Sequence, residues 1–324
     1  MPRKPFLSPA AFTDRVKRVP TRNGYGEGVV AAGKKNGNVV VLCADLSEST
    51  RSDMFRDAFP DRFIQLGVSE QSMAAIAGGL ALEGKIPFIA SYATFSPGRN
   101  WEQIRMCAAI QNVPIKIVGC HAGVSVGPDG ATHQALEDIA LMRVLPNMTV
   151  LSPCDVLEAR RAVEASVEID GPVYIRLARE ATPVFTTLKT PFEVGRAEVF
   201  RDGNDVAIIA TGPLVYEALV AARALEKDGI DALVMNVHTI KPLDEEAVVA
   251  VAKKCGAVVT VEEAQQAGGL GGAVAECLAR HAPTPMAFVG MDDRFGTSGK
   301  PSELLRAFSL DRAAIIRAAK VLLR

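Results

Sequence analysis

Short apolar runs bounded by Gly, Pro or Asp recur along this chain, and segments with helical periodicity lie between them. In the first part of the sequence the predicted strands are 38–43, 63–66, 87–90, 115–118, 148–151 and 173–177. Continuous apolar runs of this length are typical of strands that are covered on both faces. Helices are predicted at 71–82 and 101–111, and Asp155 is placed to cap a third helix that ends near residue 167. This alternation predicts an α/β fold with a doubly wound, mainly parallel sheet.

The alternation stops and then restarts, which indicates two domains. From about residue 181 to 202 the sequence contains Pro, Thr and Lys with little periodicity. Strands are predicted again at 206–210, 232–237, 257–261 and 286–289. We therefore predict an N-terminal extension (1–19), a first domain (20–183), a linker (184–203) and a smaller second domain (204–324), each domain doubly wound with a mainly parallel sheet. A chain of 324 residues is long enough for two domains of ordinary size.

Composition and charge exclude several classes of partner. The formal net charge is −1, which gives no reason to expect binding to nucleic acid or to an anionic membrane. No apolar run reaches the roughly 18 residues of a membrane helix, and no apolar stretch follows the basic N-terminus as in a secretory signal. The six cysteines are scattered without a CxxC pair, which favours free thiols in a reducing cytoplasm. Anionic substrates would have to be bound by local arginines and histidines.

A glutamate and a histidine-containing loop stand out at the ends of predicted strands. Glu70 lies between a predicted strand and a helix that is unusually rich in the small residues Ala and Gly. Taken alone, the simplest interpretation of Glu70 is a carboxylate in the first turn that the helix dipole favours. The loop from His121 to His133 directly follows a strand and contains Asp129 and several glycines. Ligands in α/β folds bind beyond the carboxyl ends of strands. The loop has no clustered third ligand to support a metal site, and a polar surface loop remains an alternative.

Arginines near both ends of the first domain are candidates for binding anions. Arg22 lies near the start of the predicted domain, and Arg176 and Arg179 lie at the end of its last strand. The guanidinium group is suited to bidentate binding of phosphate, although surface arginines are common. The Gly-rich segment 267–273 lacks the spacing of a dinucleotide-binding loop, so close packing at a helix start is its predicted role.

Together and in this order, these features resemble the pyrimidine-binding and C-terminal domains of the transketolase family over nearly the whole chain. The matching segments are Thr21-Arg22, Ala44-Asp45-Leu46, Gly67-Val-Ser-Glu70, Ala93-Thr-Phe95, Gly127-Pro-Asp129-Gly-Ala-Thr-His133-Gln, Arg143-Val-Leu-Pro-Asn147-Met, Ser152-Pro-Cys-Asp155 and Asp292-Asp-Arg-Phe-Gly296-Thr-Ser-Gly299. Each segment alone is weak evidence for this family, but the whole set in this order is specific for it. The resemblance implies a thiamine-diphosphate enzyme that moves a two-carbon ketol unit from a ketose phosphate to an aldose phosphate.

The resemblance also implies roles for the cofactor contacts. Glu70 matches the catalytic glutamate that hydrogen-bonds the 1′ nitrogen of the cofactor's aminopyrimidine, and Phe95 matches the aromatic residue that stacks on that ring. Asp45 matches a residue near the subunit contact beside the cofactor. Many transketolases have a second aromatic residue three positions after the first; this chain has Gly98 there and Trp101 further along, which makes Trp101 a further candidate cofactor contact.

Substrate contacts follow from the same resemblance. His121 and His133 match residues that contact substrate oxygens and assist proton transfer, and Asp129 matches the residue that reads the donor's hydroxyl group. The sugar phosphate is expected to be held by Arg22, Ser49 and Arg179.

The diphosphate-binding half of the family is missing from this sequence. That half carries a Gly-Asp-Gly motif followed by an Asn, and these hold the diphosphate and a divalent metal such as Mg²⁺, Ca²⁺ or Mn²⁺ through oxygen ligands. No Gly-Asp-Gly string occurs here, and the similar Pro128-Asp-Gly130 already has another place in the match. The resemblance therefore implies a separate N-terminal subunit, an α2β2 assembly, and no metal ligand in this chain.

Three alternatives remain open from the sequence. A 1-deoxy-xylulose-phosphate synthase shares much of the pattern, but its halves usually form one longer chain. The beta subunits of 2-oxoacid dehydrogenases share the half-length architecture and resemble the segment from His238 to Asp244, but they are not expected to carry the Asp129/His133 string. The third alternative is a catalytically silent transketolase-like binding subunit. The sequence leaves the sugar undetermined, including a sulfonated ketose.

Overall fold

The computed structural model describes residues 6–324, so the first five residues of the predicted N-terminal extension lie outside the described residues. The strands are Arg18–Pro20 (β1), Val39–Cys43 (β2), Phe63–Gln65 (β3), Ile86–Tyr92 (β4), Lys116–Cys120 (β5), Thr149–Leu151 (β6), Val173–Arg176 (β7), Ala181–Pro183 (β8), Glu198–Arg201 (β9), Val206–Ala210 (β10), Ala232–Asn236 (β11), Thr239–Lys241 (β12), Val258–Gln265 (β13) and Met286–Met291 (β14).

The α-helices are Thr21–Lys35 (α1), Ser47–Thr50 (α2), Asp53–Ala58 (α3), Glu70–Leu82 (α4), Trp101–Ile104 (α5), Asp138–Arg143 (α6), Val156–Ser166 (α7), Leu214–Lys227 (α8), Glu245–Cys255 (α9), Leu270–His281 (α10), Pro301–Ala307 (α11) and Arg312–Leu322 (α12). Short 3₁₀ turns lie at Pro60–Arg62 and Val124–Val126. None of these helices is long and apolar enough to cross a bilayer, a finding that covers residues 6–324.

The first sheet has seven strands in the order β12-β6-β7-β5-β4-β2-β3. All neighbouring pairs are parallel except β12 with β6. Every residue of β2 and β5 is buried, as expected for strands covered by helices on both faces. The α/β class and the doubly wound, mainly parallel sheets predicted from the sequence are confirmed.

The second sheet has five strands in the order β14-β13-β10-β11-β9, and only β9 runs antiparallel to its neighbour. Its strand β9 lies inside the segment predicted as a linker, and β1 begins inside the predicted N-terminal extension and pairs with β8. These short edge strands have mixed burial, so their sequences lack the apolar run that marks the central strands.

Two further features differ from the sequence prediction. The helix predicted at 101–111 changes at Arg105 from an α-helix to a π-helix that ends at Ile110. Strand β12 follows the second sheet's β11 in the chain but pairs with β6 of the first sheet. This strand, which follows β11 in the chain, therefore forms an edge of the first sheet.

Helices α1 and α7 pack closely on one face of the first sheet. A Cβ atom on Gly24 of α1 would overlap the carbonyl oxygen of Val156, so the approach of the two helices requires glycine there. Helix α7 begins as predicted at Asp155, whose carboxylate accepts hydrogen bonds from the backbone N–H groups of Leu157 and Glu158. The same carboxylate also accepts from Phe185 N, which ties the end of the first domain to this helix.

Glu158 of α7 joins the first domain to the second. One carboxylate oxygen accepts a 2.6 Å hydrogen bond from Cys154 N, and the other accepts a 2.7 Å bond from Asn236 Nδ2 at the end of β11. The side chain is buried, and burial raises the pKa of Glu158 to about 7. The folded protein therefore holds a proton on Glu158 in a pH range where the unfolded chain has released it.

We predict that Glu158→Gln removes a pH dependence from folding stability. Between pH 4.5, the ordinary pKa of this group, and about 7, the folded state binds one proton more than the unfolded state, so stability falls as the pH rises. The wild-type free energy of unfolding should fall by about 2–3 kcal/mol relative to the variant across this window. Urea unfolding of both proteins at pH 5 and pH 8 measures this difference, and an equal change with pH in both would refute it.

Candidate active site

The carboxyl ends of five neighbouring parallel strands carry the predicted site residues. Ser49 lies beyond β2, Glu70 beyond β3, Phe95 beyond β4, His121 directly after β5 and Arg179 beyond β7. Because these strands are adjacent and parallel, their ends lie along one edge of the sheet. Residues that are up to 130 positions apart in the sequence are thereby brought to the same edge.

Glu70 begins helix α4 and its side chain is only 1% exposed. One carboxylate oxygen accepts a 2.9 Å hydrogen bond from Arg99 Nη1. Its backbone carbonyl accepts a 3.0 Å bond from Asn100 Nδ2, which fixes the start of the helix to the turn after β4. The Glu70 carboxylate is therefore buried and held in position, and the half-exposed side chain of Arg99 lies between it and the solvent.

An aromatic cluster lies beside this carboxylate. The ring of Phe95 is stacked with that of Tyr92 at 6.0 Å and meets the ring of His133 edge-on at 5.5 Å. Tyr92 in turn stacks on His121 with ring centroids 3.9 Å apart. The guanidinium carbon of Arg99 lies 4.7 Å from the centroid of Phe95. The structure therefore brings together both predicted histidines and the predicted stacking residue, with Tyr92 between them.

The second part of the site is rich in positive charge. Arg22 Nη1 donates a 2.7 Å hydrogen bond to the carbonyl oxygen of Ser49 and lies 3.3 Å from His121 Nε2. Arg179 Nη1 donates a 2.6 Å bond to the carbonyl of Val126 in the loop that follows β5. Burial and the charges of Arg51 and Arg179 lower the pKa of Arg22. Such a cluster of guanidinium groups is suited to an anion.

His121 is buried in this positive environment. Burial, followed by the charges of Arg22 and Arg179, lowers the pKa of His121 to about 3. The imidazole is therefore neutral at physiological pH. Since Arg22 donates toward Nε2, the neutral ring carries its proton on Nδ1, which has no hydrogen-bond partner in the described structure.

Three predicted site residues lie outside these contacts. Asp129 is exposed in the loop before His133. Asp45 is exposed directly after β2, and its backbone N–H donates to Gln65 Oε1. The indole of Trp101 donates a 2.8 Å hydrogen bond to the carbonyl of Leu141 on α6, so its polar end is engaged away from Glu70. The functional roles of all three remain predictions.

The sequence reasoning missed four residues that shape the site. Gln134 donates to carbonyl oxygens of the loop and to that of Thr297 in the second domain. Glu263, from β13, accepts a 2.6 Å bond from Ser125 N in the same loop. Tyr92 and Arg51 could have been predicted as site residues from their positions. Tyr92 is the last residue of β4, and Arg51 lies in the segment that follows β2. Glu263 left no signal, because it is 138 positions from Ser125.

Across residues 6–324, no group of three or more His, Cys, Asp or Glu side chains is arranged to hold a metal ion. The buried carboxylate beside a stacking ring fits the aminopyrimidine part of thiamine diphosphate.

Comparison with known proteins assigns both halves of the chain to one family. Residues 17–184 match the family model described as "Transketolase, pyrimidine binding domain", and residues 195–315 match "Transketolase, C-terminal domain". The chain belongs to the transketolase family. These matches favour neither the deoxyxylulose-phosphate synthase nor the dehydrogenase alternative.

Relatives of similar length are themselves parts of transketolases. A putative transketolase C-terminal section from Methanocaldococcus jannaschii is 45% identical, with 91% of this chain and 94% of the relative covered. A 6-deoxy-6-sulfo-D-fructose transketolase subunit from Clostridium sp. is 42% identical, with 92% of each covered. A solved structure described as a split gene transketolase, inactive beta4 tetramer, is 44% identical with a TM-score of 0.88, covering 94% of this chain and 98% of that one.

For this transketolase chain we predict that an anion bound at the arginines raises the pKa of His121. Phosphate would offset the charges of Arg22 and Arg179, which are among the causes that hold this pKa near 3. Without phosphate, the His121 ring should give the NMR signals of neutral imidazole down to about pH 4. With inorganic phosphate, its titration should move upward. Arg22→Gln should raise the pKa without phosphate, whereas the exposed Arg105→Gln should leave it unchanged; an unchanged titration in Arg22→Gln contradicts the assignment.

Proposed function

We propose that this chain is the pyrimidine-binding and C-terminal subunit of a two-subunit, thiamine-diphosphate-dependent transketolase. It transfers a two-carbon ketol unit from a ketose phosphate to an aldose phosphate. The observation that carries the proposal is the juxtaposition of buried Glu70, Phe95, the two histidines and an arginine cluster at one sheet edge. A cofactor contact, proton-transfer groups and an anion pocket are the three parts that such a reaction requires from this half.

Each part has a defined task in the proposal. Thiamine diphosphate, when bound, supplies the electron sink for breaking and forming a carbon–carbon bond next to a carbonyl group. Glu70 holds a proton against the aminopyrimidine nitrogen, and Phe95 stacks on that ring. His121 and His133 donate to and accept from substrate oxygens, and Asp129 reads the donor's hydroxyl group. The neutral state of His121 suits it to donate a hydrogen bond from Nδ1 to a substrate oxygen.

The substrate anion is assigned to the arginine cluster. Arg22, Ser49 and Arg179 bind the phosphate of the sugar in this proposal, and Arg51 adds positive charge beside Arg22. The relative from Clostridium sp. is described as acting on a sulfonated ketose, so a sulfonate is a second candidate for the same pocket. Both groups are tetrahedral oxyanions that guanidinium groups recognise.

A separate subunit completes the site. In the proposal, an N-terminal transketolase subunit holds the diphosphate and Mg²⁺, and two copies of each chain form an α2β2 assembly in the cytoplasm. The sequence contains no Gly-Asp-Gly string of the kind that holds the diphosphate and metal in the family, which supports a second source of ligands. The description of a related chain's tetramer as inactive is also consistent with a requirement for a partner.

We predict that Glu70→Gln slows deprotonation of the cofactor itself. Glutamine keeps the shape of the side chain but does not exchange a proton, and loss of one acid–base group typically costs about 10²- to 10⁴-fold. The measurement is exchange of the thiazolium proton with deuterated water in the reconstituted complex, with no sugar present. His133→Ala should leave this exchange nearly intact while lowering sugar turnover. Wild-type exchange in Glu70→Gln, or full turnover by this chain alone, would remove the proposal.

We also predict that Arg22→Ala and Arg179→Ala chiefly raise KM for phosphorylated sugars. Loss of a charge-assisted hydrogen bond costs on the order of 1.5–3 kcal/mol, or about tenfold or more in binding. Steady-state kinetics with a ketose phosphate and with the unphosphorylated donor hydroxypyruvate separate this effect from general damage. Arg105→Ala, on an exposed position, is the matched control. Equal losses with both donors would show that these arginines do not bind the phosphate.

A further inference from the structure

Arg99 contacts both groups that the proposed function assigns to the aminopyrimidine. Its Nη1 atom donates to a carboxylate oxygen of Glu70 at 2.9 Å, and its guanidinium carbon lies 4.7 Å from the centre of the Phe95 ring. The Arg99 side chain is 48% exposed, whereas Glu70 is 1% exposed. One planar, hydrogen-bonding group thus covers an aromatic ring and satisfies a buried carboxylate.

The contacts of Arg99 are chemically equivalent to those proposed for the cofactor ring. A guanidinium group is flat, stacks on aromatic faces and donates hydrogen bonds within its plane. An aminopyrimidine held by Glu70 and Phe95 would stack on the ring and bind the carboxylate that Arg99 contacts in this structure. The aminopyrimidine and the guanidinium group would therefore compete for these two partners.

The backbone on both sides of Arg99 is held in place, whereas the Arg99 side chain is half-exposed. A Cβ atom on Gly98 would overlap the carbonyl oxygen of Thr94, so the turn is closely packed at that position. Asn100 is buried and donates to Glu70 O and toward Ser96 Oγ. The residues on both sides of Arg99 are therefore held, whereas its long side chain reaches the site from the solvent.

We propose that Arg99 is a displaceable occupant of the pyrimidine site, which closes the site in the cofactor-free subunit and swings into solvent when the cofactor ring binds. The inference rests on the proposed function of Glu70 and Phe95. A buried carboxylate without a partner is costly, and Arg99 supplies that partner before the complete active site exists. The arrangement stabilises the free subunit and weakens cofactor binding by the free energy of breaking the contact.

Isothermal titration of the reconstituted two-subunit complex with thiamine diphosphate in excess Mg²⁺ tests the inference. Arg99→Gln removes the charge of the occupant, so it should bind the cofactor about two- to tenfold more tightly than wild type. Arg105→Gln makes the same substitution at an exposed position on the following helical segment and should not change the affinity. Equal or weaker binding by Arg99→Gln overturns the inference, whereas failure of the wild-type complex to bind the cofactor overturns the proposed function on which it depends.

A double-mutant cycle in this chain alone gives a second readout that needs no cofactor. Arg99→Gln should lower the thermal stability of the wild-type chain, because it leaves Glu70 without its partner. In the Glu70→Gln background the same substitution should have little effect. Equal losses in both backgrounds would mean that Arg99 acts independently of Glu70, and the inference would fail.

Discussion

The ion pair between Asp138 and Arg176 is buried where the two domains meet, and the position of the active-site loop depends on it. Arg176 Nε donates to Asp138 at 2.8 Å, and Tyr174 donates to the same oxygen at 2.6 Å. Arg176 also donates to the carbonyl of Glu263 in the second sheet. Both members of the pair are almost fully buried, so removing one would leave an uncompensated charge, which typically costs about 3–5 kcal/mol. The loop between β5 and α6 is held from both sides by this network.

The central strands were predictable because a strand buried on both faces has a continuous apolar sequence. The strands from Val39 to Cys43 and from Lys116 to Cys120 are continuous apolar runs, and their order with intervening helices permits few topologies. The edges were not predictable. Strand Glu198–Arg201 is partly exposed, and the pairing of Thr239–Lys241 with the first sheet depends on a contact between segments about 90 positions apart. Pairings of that kind are decided by packing, not by local pattern.

The family resemblance indicated most of the candidate site residues. It did not indicate their ion pairs or their pKa values. Sequence reasoning placed Glu70 and the loop from His121 to His133 after strands and took Phe95 from the resemblance, and the structure brings these residues to one sheet edge. It could not foresee that Arg99 pairs with Glu70, or that burial and two arginines keep His121 neutral. Those properties arise from distances of a few ångströms between side chains on different loops. Nor could the sequence indicate that the indole N–H of Trp101 donates to the carbonyl oxygen of Leu141.

Strand β12 makes the two domains inseparable as building blocks. It forms the edge of the first sheet beside β6. In the sequence, however, it lies between β11 and β13, which are strands of the second sheet. A fragment that ended at the linker would expose the edge of β6 and would also lose the Glu263 contact to the active-site loop. A chimera joined between residues 184 and 203 would have to reproduce both contacts across its junction. Recombination among relatives is therefore expected to exchange this pair of domains as a single piece.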